Sequence, residues 1–229
     1  MRTFHRILSL QLLAMILFGC GSGLQMNSNW RDRNITVDGV LNEWQGSTSF
    51  IEKQNVVVGF FNDSENLYVS LTSSDRILQR QFMMMGFTLW LDAKGGKSRD
   101  FGVKFPVGLM EMGQEMRGQM QDEGFSDMRG RFEESLADLE IIMRKKGGAH
   151  RMQVAEAKGI EVKIAGIPQN LVYEIKIPLA ISAAHPFAVD AEAGQAISIG
   201  FETVKLDRQA MQDRMGGGFR GGGGGRPGG

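Results

Sequence analysis

The chain has a single cysteine, five prolines and two tyrosines among 229 residues. One thiol, Cys20, cannot close an internal disulfide, so the fold must rest on a packed core. Of three histidines, His5 lies in the leader-like start, which leaves His150 and His185. A three-histidine zinc site is therefore excluded. There is no G-x-S-x-G elbow, no P-loop and no cysteine nucleophile. Carboxylates are plentiful, but none falls in a recognisable paired-acid arrangement. These absences point away from an enzyme. Charge of one sign is also lacking: Lys plus Arg number 26 and Asp plus Glu number 26. No global field favours nucleic acid, and none is expected as a partner.

Long apolar runs are scarce too. Ile7 to Phe18 is almost wholly apolar, follows Arg2 and Arg6, and closes in Leu17-Phe18-Gly19-Cys20. It has the length of a signal-peptide core and is too short for a comfortable membrane span. The pattern resembles a bacterial lipobox, in which cleavage leaves Cys20 as the acylated first residue; Phe18 stands where that pattern carries a small residue. Each buried methylene of an acyl chain adds about 0.8 kcal/mol, so several chains anchor stably. No acidic residue directly follows Cys20, which resembles outer-membrane sorting. The expectation is a lipid-anchored envelope protein with a leader over 1–19 and a flexible Gly/Ser/Asn tether over 20–33.

What is present after the tether is β patterning. Ile35-Thr36-Val37 alternates, and Asp38-Gly39 is a turn signal, since glycine accepts positive φ. Trp44 follows, readable as a packing tryptophan or as a platform for a sugar ring. Asn55 to Phe61 and Leu67 to Thr72 form a hairpin across Asn62-Asp63-Ser64-Glu65-Asn66. Oxygens of Asp63, Asn62 and Glu65 are candidate Ca²⁺ ligands, because that ion takes six to eight hard oxygens. The same residues also suit a solvated Asx-type turn. Ser74-Asp75 caps a predicted helix through Phe82, with Ile77, Leu78 and Phe82 on one side. Gly86 to Asp92, with Trp90, and Phe101 to Pro106 read as strands around a KGGK turn at 94–97. Pro106 stops the second, since it cannot donate to a ladder.

Residues 107–135 interrupt the pattern with Met, Gly and acidic residues. Met112, Met116 and Met120 are spaced to share a helix face. Thioethers so placed can bind copper(I), or can simply fill a mobile insertion. Phe132 to Met143 fits either helix or strand. Strand alternation returns over 151–155 and 160–164, then Val172-Tyr173-Glu174-Ile175-Lys176-Ile177 stopped by Pro178, then 196–206. Glu174 alternates with apolar neighbours, which puts it on an outer or rim face. The tail, 207–229, is Gly- and Arg-rich; with few side chains to bury, it is expected to stay disordered.

Nine or ten short strands without βαβ alternation predict an all-β fold, an antiparallel β-sandwich of jelly-roll or immunoglobulin-like type over 34–206. VDGVLNEW, FFNDSENLYVSLTSSD, GFTLWLDAKGGK and LVYEIKIPL, in that order, resemble the family 9 carbohydrate-binding modules and their DOMON-like relatives. The resemblance implies a sandwich that often carries calcium and binds sugar between aromatic side chains, or haem in some relatives. Trp44, Trp90 and Glu174 are the ligand-binding candidates, with Trp90, inside an apolar strand, also readable as a core residue, and no second tryptophan stands at a clear facing position. Three functions fit: a polysaccharide- or small-ligand-binding lipoprotein, a structural lipoprotein that docks an envelope protein, and a haem or copper redox module.

Overall fold

The computed structural model of the chain describes residues 24–111, 128–145, 147–167, 169–192 and 194–203. Two β-sheets stack around one apolar core. Sheet 1 contains β1 (Asn29–Trp30), β2 (Thr48–Ile51), β3 (Val56–Asn62), β4 (Asn66–Ser73), β9 (Glu161–Ala165) and β10 (Leu171–Pro178). Its order is β1-β3-β4-β10-β9, with β2 also on β3. Sheet 2 contains β5 (Thr88–Asp92), β6 (Phe101–Lys104), β7 (Asp138–Met143), β8 (Gly148–Gln153) and β11 (Ser198–Glu202), in the order β11-β5-β6-β7-β8. All pairings are antiparallel except β1 with β3. The β-sandwich expected from the alternation is the fold.

Strand period places the core. Val56 and Val58 on β3, Val69 and Leu71 on β4, and Tyr173, Ile175 and Ile177 on β10 turn inward from sheet 1. Leu89 and Leu91 on β5, Val103 on β6, and Leu139 and Ile141 on β7 meet them from sheet 2. Each such side chain adds about 1.5–3 kcal/mol by leaving water. An aromatic group closes one end: Phe87 stacks on Phe82 at 4.1 Å and meets the Tyr173 ring edge-on at 4.8 Å. The Tyr173 hydroxyl is buried and has no hydrogen-bond partner among the described residues.

Two helices flank the sheets, α1 (Arg76–Met85) and α2 (Met128–Ser135). Asp75 caps α1, its Oδ1 accepting from the Ile77 and Leu78 N–H groups at 2.7 and 3.2 Å. Phe82 is buried as predicted, but Ile77 points to solvent. Gln79 takes the buried place instead, because its amide reaches the Ser73 carbonyl at 3.1 Å.

Three expectations change. Ile35-Thr36-Val37 is not a strand; the first strand is Asn29–Trp30, inside the segment read as tether. It pairs through backbone alone, so it leaves no apolar alternation to see. Residues 132–143 are helix and strand in turn, α2 and then β7, with Phe132 packed from the first and Leu139 from the second. The last strand stops at Glu202 among the described residues, with Ile199 and Phe201 packed on the core. Cys20, Met112, Met116, Met120 and the 207–229 tail lie outside the described residues.

Candidate functional site on the outer face of sheet 2

Because Leu89 and Leu91 face the core, Trp90 must face out of sheet 2. Its register partners on both sides are glycines, Gly102 on β6 and Gly200 on β11. The indole lies over the bare backbone of Gly102. A Cβ there would fall 2.6 Å from Cε3 and 2.8 Å from Cζ3 of Trp90. The indole N–H donates to Glu202 Oε2 at 2.5 Å, and Arg99 Nη1 donates to Glu202 Oε1 at 3.0 Å. The guanidinium carbons of Arg99 and Arg144 stand 5.8 and 5.2 Å from the ring. Trp90 is thus only 7% exposed, yet part of what covers it is solvent-exposed: the Arg99 side chain is 53% exposed.

The register extends this into two rows across all five strands. One row runs Gly200, Trp90, Gly102, Ile142, Ala149. The next runs Glu202, Thr88, Lys104, Glu140, Arg151. The first is a low bed with one large ring; the second is a line of charges. A cleft of about 260 Å³ opens along the second row, lined by Thr88, Lys104, Glu111, Glu140, Ile142 and Glu202. Lys104 bridges to Glu111 there. The turn beside Trp90 is held by Asp92, which accepts from the Lys94 N–H at 2.9 Å and the Ser98 N–H at 2.8 Å. Those donors hold the Asp92 carboxyl below its usual range. Asp100 lies lower than usual as well, through its ion pair with Lys145.

No family model and no curated protein matches the chain. Among solved structures, a carbohydrate binding module family 9 (CBM9) from Caldicellulosiruptor kristjanssonii in complex with glucose is similar at a TM-score of 0.38 and 12% identity. The match covers 80% of this chain and 79% of that one.

The predicted ligand residues divide between the two outer faces. Trp44 and Glu174 sit on the outer face of sheet 1, away from Trp90, and are 1% and 0% exposed. The Trp44 indole N–H donates to Glu174 Oε1 at 2.6 Å. Glu174 Oε2 accepts from the Asp38 and Gly39 N–H groups at 3.1 and 2.6 Å. Burial pushes the Glu174 carboxyl up, against the downward pull of these donors, and burial prevails. Trp44 lies over Gly59 and 5.4 Å from the Phe61 ring. Both residues are corrected here: they form a buried lock that ties the Asp38-Gly39 turn to β10, and neither presents a surface to a ligand. Gly39 has φ +86°, and a Cβ there would meet Ala165, so only glycine serves.

The calcium candidates Asp63, Asn62 and Glu65 lie at the β3–β4 turn. Asp63 Oδ1 accepts from the Glu65 and Asn66 N–H groups at 2.9 and 2.7 Å, and Oδ2 from the Tyr68 hydroxyl at 3.1 Å. Arg31 Nε adds an ion pair at 2.9 Å. Burial opposes ionisation, but together these donors hold Asp63 below its usual range. Burial, with the Asp63 charge, pushes the Tyr68 hydroxyl up to about 12. The Asp63 carboxylate is thus engaged by four protein donors. Among the described residues no group of three His, Cys, Asp or Glu is placed to hold a metal.

Arg99, Arg144 and Glu202 were missed in the sequence. The two arginines sit at strand ends and in turns, where no period marks them. Glu202 did carry a signal: it alternates with the inward Phe201 on a strand already predicted.

Proposed function

We propose that this protein is a non-catalytic, envelope-anchored lipoprotein that binds glycan on the outer face of sheet 2, with Trp90 as the ring platform. The observation that carries this reading is the seating of Trp90 between two glycines, with a carboxylate on its N–H and guanidinium groups at its open side. A sugar ring offers C–H groups to an aromatic face and hydroxyls to planar, bidentate polar groups. An aromatic bed beside a few fixed polar groups is the usual composition of such a site. The exposed arginine cover swings aside to admit the ring. Anchoring is supported by the basic start, apolar core and Gly19-Cys20 junction of the leader, and the absence of an acidic residue after Cys20 favours the outer membrane.

Calorimetry of the full chain against neutral and acidic plant, bacterial and host polysaccharides tests the binding. Trp90→Ala, confirmed folded by circular dichroism, is expected to lose it. Failure of every glycan to bind, or a Trp90→Ala variant that binds like the wild type, refutes the proposal. Mass spectrometry of the envelope-extracted protein checks Cys20, where acyl chains are expected and a free thiol would refute the anchor.

A further inference from the structure

Resting on the glycan reading above, we infer that the saccharide taken at Trp90 is acidic, a uronic-acid polymer whose ring lies on the indole and whose carboxylate is bound by Arg144. Arg144 is the guanidinium at the ring that has no direct carboxylate contact, although its charge acts on Asp100. Around the indole, Glu202 is already engaged by both the Trp90 N–H and Arg99. Asp100 is engaged by Lys145, and Asp92 by the N–H groups of its own turn. Arg144 has no carboxylate in ion-pair contact among the described residues, and neither have Lys94 and Lys97 in the adjoining turn. Yet Arg144 is not a free surface arginine. Its backbone N–H donates to the Asp100 carbonyl at 3.0 Å, which ties the end of β7 to the start of β6. Its guanidinium is placed 5.2 Å from the indole centroid.

A neutral sugar on Trp90 displaces that guanidinium from the ring and offers it uncharged hydroxyls alone. A ring bearing a carboxylate on its edge gives it a planar partner that matches its two-pronged donor geometry. One guanidinium without a direct carboxylate contact, with Glu202 beside it, suits one negative charge per ring. Lys94 and Lys97 extend the same sign along the turn, where the next sugars of a polymer would pass.

The test is calorimetry on the full chain with hexagalacturonate, its carboxyl-reduced neutral counterpart, and dextran sulfate. Hexagalacturonate is expected to bind at least about tenfold tighter than the neutral oligomer. Arg144→Gln is expected to lose about that tenfold, and Arg144→Lys to recover only part of it, because the charge returns without the fork. Equal binding of the neutral and acidic oligomers overturns the inference and leaves the glycan reading standing. Dextran sulfate binding as tightly as hexagalacturonate, with loss in Arg144→Gln but not in Trp90→Ala, also overturns it, since charge alone would then suffice. No binding of any of the three overturns the inference, and the glycan reading is then decided by the wider polysaccharide panel.

Discussion

Gly102 tests the site without touching a ligand-contacting group. Gly102→Ala sets a methyl carbon 2.6–2.8 Å from two ring carbons of Trp90. Carbon atoms rest comfortably at about 3.5–4.0 Å, so the ring must withdraw by about 1 Å. Overpacking of this kind costs about 1–3 kcal/mol. The same withdrawal pulls the indole N–H from Glu202, a partly exposed bond for which about 1 kcal/mol is a fair figure. We expect a loss of about 3 kcal/mol, or roughly 6–12 °C in Tm for a domain of this size. Gly200→Ala is the control. Its Cβ would lie 3.5 Å from the Trp90 Cβ, an ordinary contact, so the change should stay under about 1 kcal/mol. Urea and thermal unfolding followed by circular dichroism give the stabilities. Tryptophan emission should shift to the red in Gly102→Ala alone, as the ring is lifted toward water. Two variants that melt together, or a Gly102→Ala protein within about 1 °C of the wild type, would refute the reasoning.

Tyr173→Phe removes a buried hydroxyl that has no partner, and should raise stability by about 1 kcal/mol in urea unfolding; a loss would show that the hydroxyl is satisfied by something such as a buried water. Asp63→Ala strips acceptors from two turn N–H groups, the Tyr68 hydroxyl and Arg31, and should cost about 2 kcal/mol in the same assay; added calcium should leave the wild-type Tm unchanged. Glu174 titrates above its usual value of 4.5 in the folded protein, so its contribution is complete below that value and declines as pH rises past the elevated one. Relative to Glu174→Gln, which does not titrate, the wild type should lose stability on going from acid toward neutral pH, as measured by unfolding at each pH. A difference between the two that is flat with pH would contradict this.

The sandwich was legible because its strands alternate. Val56-to-Phe61, Leu67-to-Thr72 and Val172-to-Ile177 state which side faces the core, and the core agrees. Trp90 was named as a ligand candidate from the sequence, but nothing there showed its surroundings. Its surroundings come from Gly102, Gly200 and Glu202, brought together only by pairing register between strands far apart in the chain. Trp44 and Glu174 show the converse. Each looked available when read locally, and they cover each other across 130 positions of sequence. The Asp63 turn was ambiguous because the oxygens that bind a cation also accept turn N–H groups, and the geometry chose the latter. Strand β1 left no trace, since pairing by backbone alone asks nothing of side chains.

The strap from Arg31 to Gln45 makes the molecule lopsided. It roofs Phe61 and Tyr68 with Ile35, Leu41 and Trp44, and three donors to one carboxylate bolt it down. A protease that trimmed the amino terminus past Trp44 would uncover two aromatic rings and a bare carboxylate on a broad β wall. The clipped protein would be recognised by its tendency to stick to itself while its other wall stayed whole. A cut that fell before Arg31 would leave the strap in place and the product would stay monomeric.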